Sequence, residues 1–200
     1  MAENESTDNW LEYFEKTKGR NPRPLLTEAL QFVKDRDEAL DLGASALNET
    51  KYLLKEGFKH VTAIDIQPVA RKLAETIPRE KLSYIISSFD TFDFPLSFYD
   101  LVNAGYSLPF SSPRTFDAMF DRLQKSLKVG GVFTGQLFGE RDEWNVSSRN
   151  MTFHTKEEAA KLFSKMDILK FIEEEKDQPT VITSGIPKHW HIFHVIAKAK

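Results

Sequence analysis

The stretch ALDLGASALNETKYLLKEGFKHVTAIDIQPV, Ala39 to Val69, limits the fold more than any other part of the chain. It runs from a short apolar segment through a turn opening on Gly43 and a helical stripe to a second apolar segment ending at Asp65. Two strands separated by a helix cannot close as a tight hairpin; they lie parallel and are joined by a crossover. The alternation continues, with strands expected at Ala39–Leu42, Val61–Asp65, Ser83–Ser87, Leu101–Ala104 and Gly131–Leu137. Helices are expected near Asn48–Glu56, Pro68–Thr76 and Pro113–Leu127. The strands are continuous apolar runs rather than alternating ones, which suits a parallel sheet covered on both faces.

The flanks add to this α/β unit. Residues 1–8 are expected to fray; Ser6, Thr7 and Asp8 offer N-cap oxygens, and Trp10, Tyr13, Phe14 and Thr17 then recur at helical spacing. Gly19 and two prolines in KTKGRNPRP end that helix, and Leu25, Leu26, Ala29, Leu30 and Val33 make a second stripe. Thr155 followed by Glu158 is a capping-box pattern. Ile168–Glu175 and His189–Ala197, joined by KDQPTVITSGIPK, read as a long-looped hairpin that gives the mostly parallel sheet an antiparallel edge. The chain is expected to be one structural domain, with helices of residues 1–35 covering a site built by residues 36–200.

Composition excludes several classes. Two hundred residues with 40% apolar and 12% aromatic content, sixteen of them Phe, can bury a core. A net charge of −3 and a pI near 6.0 offer no basic field for nucleic acid or an anionic membrane. Without cysteine there are no disulfides, thiolate metal ligands or thiol nucleophiles. MAENESTDNW is polar and acidic, unlike a secretory signal, and no apolar run approaches the ~20 residues that span a bilayer. A soluble protein is expected, most simply a cytoplasmic one.

The turn after the first strand carries the chemistry. Gly43 ends that strand, where a side chain would block close approach of a ligand to the backbone. Asp65 closes the second strand 22 residues later, and its carboxylate can accept hydrogen bonds from both hydroxyls of a ribose. Together they describe a nucleoside-binding unit. A dinucleotide fingerprint G-x-G-x-x-G would need glycines at 43, 45 and 48, where the chain has Gly43, Ser45 and Asn48. Glu49 would also set a negative charge beside a pyrophosphate on the helix N-terminus. These residues argue for a ligand without phosphates, of which S-adenosylmethionine, with its cationic sulfonium, is one.

On these residues, ALDLGASALNETKYLLKEGFKHVTAIDIQPVA resembles the first motif and following acidic strand end of the class I S-adenosylmethionine-dependent methyltransferases. SLKVGGVF resembles their turn into the fifth strand, and KHWHIFHVIAKAK their reversed last strand. Within the class, GFKHVTAIDI, GQLFGERDEW and MTFHTKEEA are most similar to the small tellurite-resistance-type and related small-molecule methyltransferases. The resemblance covers about residues 25–200 and implies a doubly wound, Rossmann-like sheet. The class pattern G-x-G-x-G falls on Gly43, Ser45 and Leu47, so two glycines are replaced.

The resemblance also implies where S-adenosylmethionine would sit and S-adenosylhomocysteine would leave. Gly43, Ala44 and Ser45 form the turn, Asp65 with Ile66 the ribose end, and Ser88, Phe89 or Asp90 the adenine end. Phe89 is equally readable as one more core phenylalanine. Asn103 and Ala104 would lie under the methionine moiety, with Asp41 orienting its amine; a buried Asp41 needs partners. Arg20 would clamp the cofactor carboxylate or an anionic substrate if the amino-terminal segment closes over the site; the plainer reading is a solvated arginine. Tyr106 would stand at the methyl-transfer mouth, and Tyr106, His154 or Glu140 would serve where the acceptor needs a base.

Other constellations weigh less. NAGY lacks both prolines of the N-P-P-Y loop of amine methyltransferases acting on DNA bases or protein amides. In HWHIFH, His189 and His191 share a strand face while His194 opposes them, with no acid or thiolate nearby in sequence, so no metal site is expected. The expected activity is methyl transfer to a small-molecule acceptor. Standing against it are a non-catalytic S-adenosylmethionine- or nucleoside-binding regulatory module, a protein methyltransferase and, further off, a nucleotide-sugar or NAD enzyme. Nothing in the sequence indicates oligomeric state.

Overall fold

The structure is a computed structural model describing residues 2–146, 149–179 and 186–200. Five strands in chain order build the parallel part of the sheet: β1 (Glu38–Leu42), β2 (His60–Asp65), β3 (Leu82–Ile86), β4 (Tyr99–Ala104) and β5 (Leu127–Gly139). A two-residue strand β6 (Phe153–His154) adds to β5, and the hairpin of β7 (Met166–Pro179) and β8 (Pro187–Ala199) closes the chain. The order is β3-β2-β1-β4-β5-β8-β7. Pairing is parallel up to β5 and antiparallel from β5 through β8 to β7, as expected. The direction of winding reverses between β1 and β4, and ligands of such sheets bind at that switch, outside the carboxyl ends of the strands.

The continuous apolar strands are buried on both faces. Leu40, Leu42 and Val102 face one layer with Phe116, Phe120 and Leu123 of α5 (Phe116–Ser126) and Ala159 of α6 (Lys156–Leu162). Ala39, Val61 and Leu101 face the other, against Leu26 of α2 (Pro24–Ala29) and Leu53 of α3 (Asn48–Lys55). Stacked and edge-on rings knit the first layer: Phe116 and Phe120 at 5.6 Å, Phe120 and Phe163 at 5.4 Å. Thr155 and Glu158 form the expected capping box on α6.

Several boundaries differ from the sequence reading. Helix α1 spans Ala2–Thr17, beginning before the expected Ser6–Asp8 cap. The helix expected over Pro68–Thr76 is a 3-10 turn, Pro68–Ala70, running into the one-turn helix α4 (Arg71–Ala74). α5 begins at Phe116 because Pro113–Thr115 are spent in turns. β5 starts at Leu127 rather than Gly131, with a register shift against β4 that absorbs the glycine pair. β7 reaches Pro179, so KDQP, expected as loop, pairs with β8; residues 180–185 of that loop lie outside the described residues. Among the described residues no helix is long and apolar enough to cross a membrane.

Candidate functional site

A cavity of about 650 Å³ lies along the carboxyl edge of the sheet. It runs from the ends of β2 and β3, over the turn after β1, to the ends of β4, β5, β8 and β7. Trp10, Tyr13 and Thr17 of α1, with Arg20 and Arg23 of the following segment, line it from the amino-terminal side.

The turn after β1 keeps the left-handed backbone that glycines would supply. Gly43, Ser45 and Leu47 have φ of +73°, +40° and +57°, at the three positions of the G-x-G-x-G pattern. For L-residues this region costs roughly 1–2 kcal/mol each, so the turn retains its shape at an energetic cost. Gly43 is required twice over, since a Cβ there would stand 2.4 Å from the Ser107 Cβ. Leu47 is buried in the core beneath the turn and does not intrude on the cavity.

Asp41 sits behind the turn, buried, with the partners that the sequence demanded. Thr50 Oγ1 donates to its Oδ2 at 2.6 Å, and Asn103 Nδ2 donates to its Oδ1 at 2.7 Å. Asn103 reaches it because β1 and β4 pair Asp41 with Asn103 in register. Burial, then the nearby Glu49 carboxylate, pushes the Asp41 pKa up to about 6. At the end of β2, Asp65 accepts from the backbone N–H of Ser45 (2.8 Å) and of Gln67 (2.9 Å), so one carboxylate holds the turn and the β2 exit together. Burial raises its pKa against these hydrogen bonds. Ile66, Ser88, Phe89 and Asp90 continue the lining, and Phe89 also packs on the core.

Arg20 is engaged. Its Nη1 lies 2.6 Å from Glu49 Oε1 and its Nη2 donates to Oε2 at 2.8 Å, a two-pronged pair within the lining. Arg23, which the sequence reading passed over, donates from Nη2 to the Tyr13 hydroxyl at 3.1 Å and lies 4.4 Å over the Tyr106 ring. Gly105 lets it lie there, since a Cβ would press to 3.2 Å from the Arg23 Cδ. Tyr106 takes a left-handed φ of +61°, its N–H donating to the buried Gln136 Oε1 at 3.0 Å. Burial raises the Tyr106 pKa, with the Arg23 charge opposing, so its hydroxyl stays protonated at neutral pH and is a donor rather than a base. Phe138, Trp144 and Trp190 complete this end of the cavity.

Three expected residues lie elsewhere. Ala104 is fully buried in the core, because its strand position faces the α5 layer. His154 packs on Phe116 at 4.9 Å; it lies outside the cavity lining because β6 turns it toward that same layer, and burial lowers its pKa. Glu140 is exposed beside Arg141 and outside the lining. The residues missed were Arg23, Ser107 and the rings of α1, β5 and β8. Tryptophan was the available signal: all three of the chain's tryptophans line this cavity.

Acids do stand near the histidines of HWHIFH, supplied by the facing strand. Ligand atoms of Glu173, Glu175 and His191 gather within 4.8 Å. The Arg141 guanidinium already bridges them, at 2.9 Å from Glu173, 2.7 Å from Glu175 and 3.2 Å from His191 Nε2, so a cation holds the place a metal would take.

Residues 39–131 match the methyltransferase domain family. No curated protein matches the sequence. Among solved structures, the 1,6-didemethyltoxoflavin-N1-methyltransferase of Burkholderia thailandensis, with 1,6-didemethyltoxoflavin and S-adenosylhomocysteine bound, has a TM-score of 0.67 at 20% identity. The match covers 89% of this chain and 77% of that one. TehB from Haemophilus influenzae gives a TM-score of 0.76 at 15% identity, over 96% of this chain and 67% of that one. An S-adenosylmethionine-dependent methyltransferase from Mesorhizobium loti gives 0.65 at 14% identity, over 86% and 96%. Residues 39–131 thus match a methyltransferase domain, and the chain around them has the fold of solved S-adenosylmethionine-dependent methyltransferases.

Proposed function

We propose that the cavity holds S-adenosylmethionine along β1, β2 and β3 and transfers its methyl group to a small molecule bound at the β4–β5–β8 end. One observation carries this reading: a single cleft has its carboxylates, Asp41, Glu49, Asp65 and Asp90, at one end and all of its aromatic rings but Phe89 toward the other. Three buried polar atoms on its lining, Asp90 Oδ1, Ser107 Oγ and Ser111 Oγ, have no hydrogen-bond partner among the described residues, as a polar ligand there would require.

Each part of the cofactor has a candidate partner. Asp65 retains lone pairs for the ribose hydroxyls, Phe89 and Asp90 Oδ1 suit the adenine face and its amino group, and the turn at Gly43–Ser45 suits the amino-acid end. Asp41 makes that turn negative, with the Glu49 charge offset by its pair with Arg20, which favours an ammonium and a sulfonium and disfavours a pyrophosphate. The cofactor supplies an already electrophilic methyl on its sulfonium. The protein's share is alignment of donor and acceptor and exclusion of water by α1. Tyr106 is protonated, while His154 and Glu140 stand outside the cleft, so among the described residues the acceptor end offers no base and favours an acceptor that arrives nucleophilic. The α1 cover favours a small acceptor over a protein segment.

Calorimetry with S-adenosylhomocysteine tests the reading. Asp65→Asn keeps the side chain's shape but weakens its hydrogen bonds to a ribose, and Asp65→Ala removes them. The alanine variant is expected to lose roughly 1.5–3 kcal/mol, about one to two decades in affinity, with a smaller loss for asparagine. Equal affinity in wild type and Asp65→Ala, with both folded by thermal melting, would refute the cofactor placement.

A further inference from the structure

The acceptor end of the cleft has a chemical signature of its own. Tyr106, Phe138, Trp144 and Trp190 form a wall of rings, and Trp10 and Tyr13 of α1 line the cleft from the cover. The wall is braced edge-on, with Phe138 and Trp190 at 5.5 Å and an interplanar angle of 76°, and Tyr106 and Trp190 at 6.4 Å and 77°. Such bracing presets the rings for a flat guest.

Charge separates this end from the other. The four carboxylates of the lining belong to β1, β2, the start of α3 and the segment after β3. Arg23 has no carboxylate partner among the described residues; its guanidinium has only the Tyr13 hydroxyl and the Tyr106 face. Glu49 reaches it solely through the Arg23 backbone N–H, at 3.3 Å, while its carboxylate oxygens hold the Arg20 guanidinium. Lys176, the other cation at this end, is already paired with Glu174 at 2.8 Å. A guanidinium with spare donors beside a braced aromatic wall matches a planar ring carrying a carboxylate or similar anion. A cationic acceptor would meet Arg23 with nothing to offset it, and an aliphatic one would forgo the ring contacts.

Building on the methyl-transfer reading, we propose that the acceptor is a planar aromatic anion, its ring held against Tyr106 and Trp190 and its anionic group bound by Arg23. Because every tryptophan lines the cleft, intrinsic fluorescence reports occupancy directly. The probe is 2-naphthoate, titrated into protein saturated with S-adenosylhomocysteine and again without it, with cyclohexanecarboxylate and a naphthylmethylammonium as comparators. Saturable quenching by 2-naphthoate is expected, at least tenfold tighter than by either comparator. Arg23→Gln should weaken 2-naphthoate about tenfold or more while S-adenosylhomocysteine affinity stays within twofold; Arg23→Lys should recover part of the loss. Thermal melting checks that each variant is folded. The proposal fails if 2-naphthoate does not saturate, if a comparator binds as tightly, or if Arg23→Gln weakens S-adenosylhomocysteine instead, which would give the guanidinium to the cofactor. Failure of S-adenosylhomocysteine to bind the wild type would sink the methyl-transfer reading alone, since the titration without it still reports on the acceptor end.

Discussion

Asp41 is a residue where fold and function pull apart. Its folded pKa of about 6 stands above its ordinary 3.8 because burial and Glu49 disfavour its charge. Between those values the folded protein keeps a proton that the unfolded chain has released, so stability falls as pH rises from about 4 to about 6 and stays lower above. The displacement bounds the penalty at about 3 kcal/mol. Asp41→Asn is therefore expected to raise the urea midpoint above wild type at pH 7.5, with the gap closing toward pH 4.5; coincident midpoints at pH 7.5 would remove the account. The variant should also bind S-adenosylmethionine more weakly, since a neutral amide offers less to the cofactor's ammonium. Much of this was legible: an Asp two residues before Gly43 asked for partners, and Thr50 and Asn103 are those partners. The two arginines were not. Arg20 and Arg23 are alike in KGRNPRP, and only the reach of Glu49 decides that one is engaged and the other has donors to spare. That depends on three-dimensional placement, which local spacing does not carry.

At the scale of elements, the β7–β8 hairpin shows how charge sets a register. Each histidine of HWHIFH meets an acid across the ladder: His189 with Asp177 at 2.8 Å, His191 with Glu173 at 3.0 Å and His194 with Glu174 at 3.0 Å. The facing acids could not be read from the sequence, because the long connection leaves the register open, and a register fixes which side chains oppose. The extension of β7 through KDQP was missed for a related reason. It reads as polar loop, yet an exposed edge strand needs only a facing partner, which β8 supplies. His189 has a raised pKa, from Asp177 first and Glu175 second. Its contribution is fully present below its unfolded value near 6.5 and is lost as pH rises through the folded value. Amide exchange along the outer half of the hairpin, corrected for the intrinsic rate, should therefore be slower at pH 6 than at pH 8. His189→Gln should flatten that difference, and a difference that persists in the variant would assign it to another group.

Across the whole molecule, the sheet order places the site and the amino terminus covers it. The alternation of strand and helix announced a parallel sheet with a reversed edge, whereas the order β3-β2-β1-β4-β5-β8-β7 was not legible, since spacing along the chain does not order strands in space. The closing of α1 over the cleft was conditional in the sequence, and its fastening lies in residues far apart. Gly19 N–H donates to Asn48 Oδ1 at 2.9 Å, Asn48 Nδ2 donates to the Thr17 carbonyl at 3.0 Å, and Arg20 holds Glu49 one residue on. The first turn of α3 thus grips the end of α1 while its preceding turn shapes the cofactor end. Trp10 meets Phe110 edge-on at 5.2 Å, so the same helix also bears on the acceptor end. On the proposed placement of donor and acceptor, one helix touching both ends makes its docking a shared condition for binding either. Asn48→Ala removes two hydrogen bonds worth about 1 kcal/mol each, enough to raise local opening of α1 by roughly tenfold or more. Amide exchange at Tyr13–Thr17 should accelerate by that factor while exchange in β1 and β4, which report global unfolding, changes far less. S-adenosylhomocysteine should slow α1 exchange in wild type and do so less in the variant. Equal acceleration in β1 and α1 would mean that the helix is part of the global unit rather than a separately docked cover.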